Sequence, residues 1–390
     1  MKDTEETNLE DLVEEYKRKQ KEQNNEIVYS NPEGEVETGR IAPLRLGEAL
    51  DKHEEIQRSN DRAELTIESH RSRLKKFGMW LLIQGVEETT DIQPQHFEDY
   101  RIQRAKNVKK VTVKTHMDTI RVWIRNMETY RAVPEGLSEF VRSPELTGSE
   151  GQRSDHLPVE RGDRILENVR KYMWGSMEHV VYELWWAAAI RLGGVHSLDV
   201  DDFNPKKGYV QLKHRPESGT TLKNREKGER VVSLHPTVID AIEDYLDNPE
   251  RPDTTDEYGR EPLLASTKGG RYSKSHLRNV CYYLTLPCVT ENGCPHDRDP
   301  KTCQWASNKC HSSRCKSSKA PHALRSGALT RQLKRGVPPH VLSERANVGV
   351  DTLEDHYNEL TEEEKMEVRR KWFDEEYMSG QDAEDAVFGD

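Results

Sequence analysis

Five residues spread from Arg191 to Tyr357 could share one reaction. Arg191 lies in AAAIRLGGVHSLDVDDF, and Lys223 lies in TTLKNREKGERVVSL. His322 and Arg325 form HALR, and Tyr357 closes DTLEDHY. Cleavage of a phosphodiester by a tyrosine uses just these side-chain types. Planar guanidiniums clamp the non-bridging oxygens as they gain charge, which suits Arg191 and Arg325. An acid protonates the leaving 5′-oxygen, which suits Lys223. The phenol of Tyr357 attacks once it loses its proton, and His322 serves as base or as a further phosphate donor. Lys227 is a second candidate for the acid, and Tyr377 a second tyrosine.

These residues need elements to hold them. Arg161–Met173 and Glu178–Leu192 have helical patterns, the second apolar nearly all round, so it predicts a buried core helix ending beyond Arg191. Tyr209–His214 and Glu229–Leu234 read as two strands of a hairpin with a long polar tip carrying Lys223. Pro236 opens a helix through Tyr245. Further helices are expected over Pro321–Arg335, Pro338–Arg345, Asp351–Asn358 and Thr361–Tyr377. Thr361 with Glu364, and Asp351 with Glu354, have capping-box spacing. Residues 45–145 read as helix throughout: Ile67, Leu74, Phe77 and Leu81 recur at helical spacing, with Gly85 as a stop. Asp91 is a cap for a helix over Ile92–Ala105, and Val113, Met117, Ile120, Ile124 and Met127 form the next stripe. Arg71, Arg73, Lys75, Lys76, Lys106, Lys109, Lys110 and Lys114 interleave with these faces, as solvated charge or as phosphate contacts.

In order and context these boxes resemble the tyrosine recombinase (phage integrase) family, over roughly residues 45–375. RLGGVHSLDVDDF is similar to the family's first arginine box, with Leu198 and Asp202 in place, and HALR to its His-x-x-Arg box. Thr66, Arg71, Phe77 and Trp80 echo a phrase of its core-binding domain. The resemblance is to Xer-like members, including an archaeal halophilic type. It implies a mainly α protein with a small β-sheet: a helical SAM-like core-binding domain, then an α+β catalytic domain. It also implies double-stranded DNA as partner, a tetramer on paired sites, a 3′-phosphotyrosyl intermediate, and no cofactor for catalysis. The sequence departs from the family at two points. Gly194 stands where many members carry Glu, and Val348, or Asn347 with a one-residue shift, where most carry His or Trp. Asn347 or His356 is left to fill that second role.

The expected organisation is a mobile acidic segment over 1–44, a DNA-binding domain over 45–145, a linker over 146–160, a catalytic domain over 161–378 and an acidic tail over 379–390. The formal net charge of −11 argues against a nucleic-acid partner until it is divided. Residues 1–40 carry −6 and residues 351–390 carry −11, so the body between them carries +6. No run approaches the ~18 apolar residues of a membrane span, and the polar start is neither signal nor transit peptide, so a cytoplasmic protein is expected. All six cysteines lie in an insert over 281–315. Cys294, Cys303, Cys310 and Cys315, with His296 or His311 as substitutes, are candidates for one structural zinc; reduced, unliganded thiols are the alternative. Met366, Val368, Trp372, Phe373 and Tyr377 give the last helix an apolar stripe for its own domain or a neighbouring protomer. Besides a site-specific recombinase, the sequence is compatible with an inactive DNA-binding relative, or with a type IB topoisomerase-like activity.

Overall fold

A computed structural model describes residues 41–147, 156–291, 293–358 and 360–370. It divides into two compact units, Met1–Ser154 and Asp155–Asp390. Residues 1–40 of the expected acidic segment lie outside the described residues, as do Trp372, Phe373, Tyr377 and the acidic tail.

The first unit is helical: α1 (Leu46–Ser59), α2 (Glu64–Gln84), α3 (Pro94–Ala105) and α4 (Lys110–Thr129). Its core is aromatic. The Phe77 ring lies 4.9 Å from that of Tyr100 and 6.1 Å from that of Trp123, both edge-on, the favoured arrangement for rings of opposite edge and face charge. The α4 stripe is buried as its spacing demands. Gly85 ends α2 at φ 91°, a left-handed conformation that glycine adopts without strain. Asp91 does not cap α3, whose first turn is preceded by Gln93; instead it ends a short 3-10 turn, Thr89–Asp91. Pro94 explains the shift, since proline favours the first turn of a helix.

The second unit begins with α5 (Val159–Tyr172), α6 (Met177–Trp186) and α7 (Leu192–Ser197). A three-stranded antiparallel sheet follows: β1 (Phe203–Asn204), β2 (Tyr209–Leu212) and β3 (Arg230–Ser233), in that order. The hairpin register pairs Leu212 with Arg230 and Val210 with Val232. Helix α8 (Pro236–Leu246) opens on Pro236, and α9 (Lys274–Leu284) leads into the cysteine-rich stretch with its short helices α10 (Pro287–Thr290) and α11 (Gln304–Ser307). The chain then forms α12 (Pro321–Lys334), α13 (Pro339–Ala346) and α14 (Val350–Asn358). Helix α6 and the inward face of the sheet share one core, to which α12, α13 and α14 add Leu324, Ala328, Leu342 and Leu353. Gly327 marks a close backbone approach: a Cβ there would lie 2.2 Å from the Leu157 carbonyl oxygen. Among the described residues, no helix is long and apolar enough to cross a membrane.

The helix expected over Glu178–Leu192 is broken. It stops at Trp186, and Ala189 takes a left-handed φ of 51°. The break matters for the site, because it makes Arg191 the residue that precedes α7 rather than a late residue of α6.

Candidate active site

The site is organised by the last carbonyls of α13. A helix C-terminus leaves such carbonyls without intrahelical donors, and the helix dipole makes them partly negative. Ala346 O accepts from Arg325 Nη2 at 2.7 Å and from Arg191 Nη1 at 3.3 Å. The neighbouring Arg345 O accepts from Arg230 Nε at 2.8 Å. Arg325 also donates to Ala189 O, so the break after α6 holds the second arginine as well as the first. Arg345 donates both terminal nitrogens to Ser233 at the end of β3, to Oγ and to the carbonyl oxygen, each at 2.8 Å.

Among the described residues none of Arg191, Arg230, Arg325 and Arg345 forms an ion pair with a carboxylate. Their electrostatics reflect that. Burial, then the charges of Arg191 and Arg230, push the Arg325 guanidinium down to about 9. Burial, then Arg191 and Arg345, push Arg230 down to about 10. Burial alone lowers Arg191 and Arg345. Cations gathered out of water without a counter-ion are costly to hold. An anion that accepts several hydrogen bonds relieves that cost, and a phosphodiester has the charge and the oxygens to do so.

Arg191 and Arg325 are thus brought together. Lys223 is exposed at the hairpin tip, but the next residue, Asn224, donates from Nδ2 to Asn347 Oδ1 at 2.9 Å, which ties the tip to the residue after α13. His322 is exposed in the first turn of α12, one turn ahead of Arg325. Tyr357 is half-buried near the end of α14 and packs on the core of this unit. Among the described residues, no hydrogen bond or ion pair joins it to the arginines. His356 turns toward α12, its Nδ1 3.4 Å from Thr330 Oγ1, and Asn347 instead meets the hairpin.

Arg230 and Arg345 were not among the residues expected to do chemistry. The signal for Arg230 is its register. It shares the inward face of β3 with Val232, where a charged residue is out of place unless it has a use. Gly194 has a packing explanation: a Cβ there would lie 2.8 Å from Ile190 Cγ2 and 3.4 Å from Leu212 Cδ1. The Glu that the resemblance expects has no room at that position.

The described residues do not support the expected zinc site. Among the described residues no group of three or more His, Cys, Asp or Glu side chains is disposed to hold a metal ion. Cys315 is buried and Cys310 is exposed, while Cys294, Cys303 and Cys315 lie near enough to Cys288 that, after burial, they push its thiol up. Of the substitutes, His296 is engaged, its Nε2 3.0 Å from Ser317 Oγ, whereas His311 Nδ1 is buried with no hydrogen-bond partner among the described residues. Cys281 is buried on α9, and burial pushes its thiol well up.

No protein-family model matches the chain. The chain is 19% identical over 235 residues to a protein of Caldanaerobacter subterraneus subsp. tengcongensis that bears the name tyrosine recombinase, covering 60% of this chain and 73% of that protein. It is 23% identical over 162 residues to tyrosine recombinase XerC of Natranaerobius thermophilus, 42% of this chain and 49% of that protein. Its fold matches that of the Tn1549 transposon integrase in complex with a circular intermediate DNA, with TM-score 0.56 and 12% identity over 83% of this chain and 99% of the other. The chain is thus similar in sequence to tyrosine recombinases and has the fold of a transposon integrase. The mainly helical architecture with a small sheet, expected from the sequence, is that of these recombinases.

Proposed function

We propose that this protein is a tyrosine-type site-specific recombinase that cuts and rejoins double-stranded DNA through a 3′-phosphotyrosyl link. One observation carries the reading: among the described residues, the buried Arg325 and the half-buried Arg191 and Arg230 meet at the end of α13 without a carboxylate, next to a hairpin bearing the exposed Lys223. The first unit serves as the core-binding DNA domain and the second as the catalytic domain. Exposed Lys75, Lys76, Lys106 and Lys109 suit phosphate contacts, whereas Arg71 is drawn to Glu54 and Arg73 to Thr119 on its own unit.

In the reaction, Arg191 and Arg325 hold the non-bridging oxygens of the scissile phosphate, most tightly when these gain charge. The Tyr357 phenol oxygen forms a bond to phosphorus, and the bond from phosphorus to the 5′-oxygen breaks. Lys223 gives its proton to that oxygen, leaving a 5′-hydroxyl. The phenol's proton passes to His322 or to water. The phosphotyrosine link conserves the energy of the broken bond, so attack by a 5′-hydroxyl from a partner strand reverses the step without nucleotide hydrolysis. Exchange between duplexes needs several active sites, and the family resemblance gives a tetramer on paired sites.

A plasmid assay tests the reading. The binding site is first selected from random duplexes, and two copies are placed on one supercoiled plasmid. Inversion or deletion between the copies is expected. Relaxation independent of the sites, or binding with no change in the DNA, contradicts it.

A further inference from the structure

Residues 345–347 tie two parts of the site together. Arg345 O and Ala346 O gather Arg230, Arg191 and Arg325, as described above. The next residue, Asn347, takes a left-handed φ of 50°, and its side chain bonds to the lysine hairpin on both sides of the tip. Its Oδ1 accepts from Asn224 Nδ2 at 2.9 Å, and its Nδ2 donates to Lys227 O at 3.4 Å. The hairpin closes tightly here: a Cβ on Gly228 would lie 3.3 Å from Asn347 Nδ2. Arg230, two residues beyond Gly228, then donates back to Arg345 O and to Gly228 O, each at 2.8 Å.

Asparagine suits this position for two reasons. It tolerates the left-handed conformation better than most side chains, and its amide offers a donor and an acceptor together. Both are used within the protein. We infer that Asn347 is a positioning residue that latches the lysine hairpin to the arginine clamp, so that Lys223 is presented to the leaving oxygen rather than left on a free tip. The inference rests on the proposed reading of Lys223 as the general acid. It differs from the role of phosphate donor that the family resemblance suggests for this stretch.

The test separates acid placement from phosphate binding. Full-length protein is given excess nicked duplex of the selected site, and single-turnover formation of the covalent link is timed. One substrate has the ordinary oxygen at the scissile 5′ position and the other has sulfur, a leaving group that departs as thiolate without a proton. Asn347→Gly removes the side chain while keeping a residue at ease with positive φ. A general acid contributes roughly 10²–10⁴-fold, so its partial misplacement should slow the oxygen substrate by about 10–100-fold. The sulfur substrate should be cleaved at close to the wild-type rate. Asn224→Ala should behave alike, and the double variant should be no slower than the slower single variant, as for two ends of one contact.

Equal losses on both substrates would overturn the inference, since the effect would then lie on the phosphate or the fold. A wild-type rate for Asn347→Gly on the oxygen substrate would also overturn it. Lys223→Ala is the control. If sulfur fails to rescue that variant, the reading of Lys223 falls and the latch with it. If sulfur rescues Lys223→Ala but not Asn347→Gly, only the latch falls.

Discussion

The clustered guanidiniums predict that a divalent oxyanion stabilises the free protein at this site and nowhere else to the same degree. In the absence of DNA, burial and then neighbouring guanidiniums, Arg191 among them, push Arg230 and Arg325 down. Sulfate has the tetrahedral oxygens of a phosphate and should take the place of the scissile group. An anion that binds only the folded form, at ten times its dissociation constant, adds about 1.4 kcal/mol. For a unit of this size that raises Tm by roughly 3–6 °C. The assay is a calorimetric scan in sulfate against chloride at equal ionic strength. Sulfate also stabilises proteins generally by exclusion from their surfaces, so the comparison is with the Arg191→Ala/Arg325→Ala variant. That variant should keep the general increment and lose the site-specific one. Equal increments in the two proteins would refute the reading of this cluster as an empty anion site.

Three further outcomes follow from particular contacts. His53 is buried in the first unit, and burial, then His70, pushes it down to about 4. The unfolded chain takes up that proton near its ordinary value of about 6.5, so stability should fall as pH drops from there toward 4, by up to about 3 kcal/mol; urea titrations should show this slope flattened in His53→Leu. Gly194→Ala brings a Cβ to 2.8 Å from Ile190 Cγ2, and should destabilise the second unit by about 1–3 kcal/mol. Adding Ile190→Leu, which removes that methyl branch, should recover part of the loss in the same denaturation assay. Arg325→Lys keeps a charge but loses the fork that reaches both Ala189 O and Ala346 O; DNA cleavage should drop by roughly 10²–10³-fold with binding largely retained.

The sequence was most legible where one local rule governs. The stripe from Val113 to Met127 is buried along one face of α4, Pro236 opens α8, and the hairpin strands pair within a residue or two of the expected ends. The Thr361–Glu364 box forms reciprocally, with Thr361 N donating to Glu364 Oε2 and Glu364 N to Thr361 Oγ1. It failed where distant contacts decide. A continuous apolar run gave no sign that α6 stops at Trp186, because the left-handed turn at Ala189 is held by Arg325 from α12. Arg230 looks like one charge among many in REKGER, and its distant partner, Arg345 O at the end of α13, emerges only in the fold. Cysteine counting picked out the segment but not the geometry of its thiols, which among the described residues form no metal-holding group. The departures from the family's pattern also gain reasons. Gly194 is required by Ile190 and Leu212, and Asn347 is engaged by the hairpin.

The most direct test of the central claim is covalent trapping. Purified protein is mixed with nicked suicide duplex of the selected site, beside Tyr357→Phe, and run on a denaturing gel. The account predicts a protein–DNA adduct in the wild type only, with the Tyr357 peptide carrying the 3′-phosphate and a free 5′-hydroxyl on the released strand. Binding of the same duplex without any adduct, or an adduct that persists in Tyr357→Phe, would contradict it.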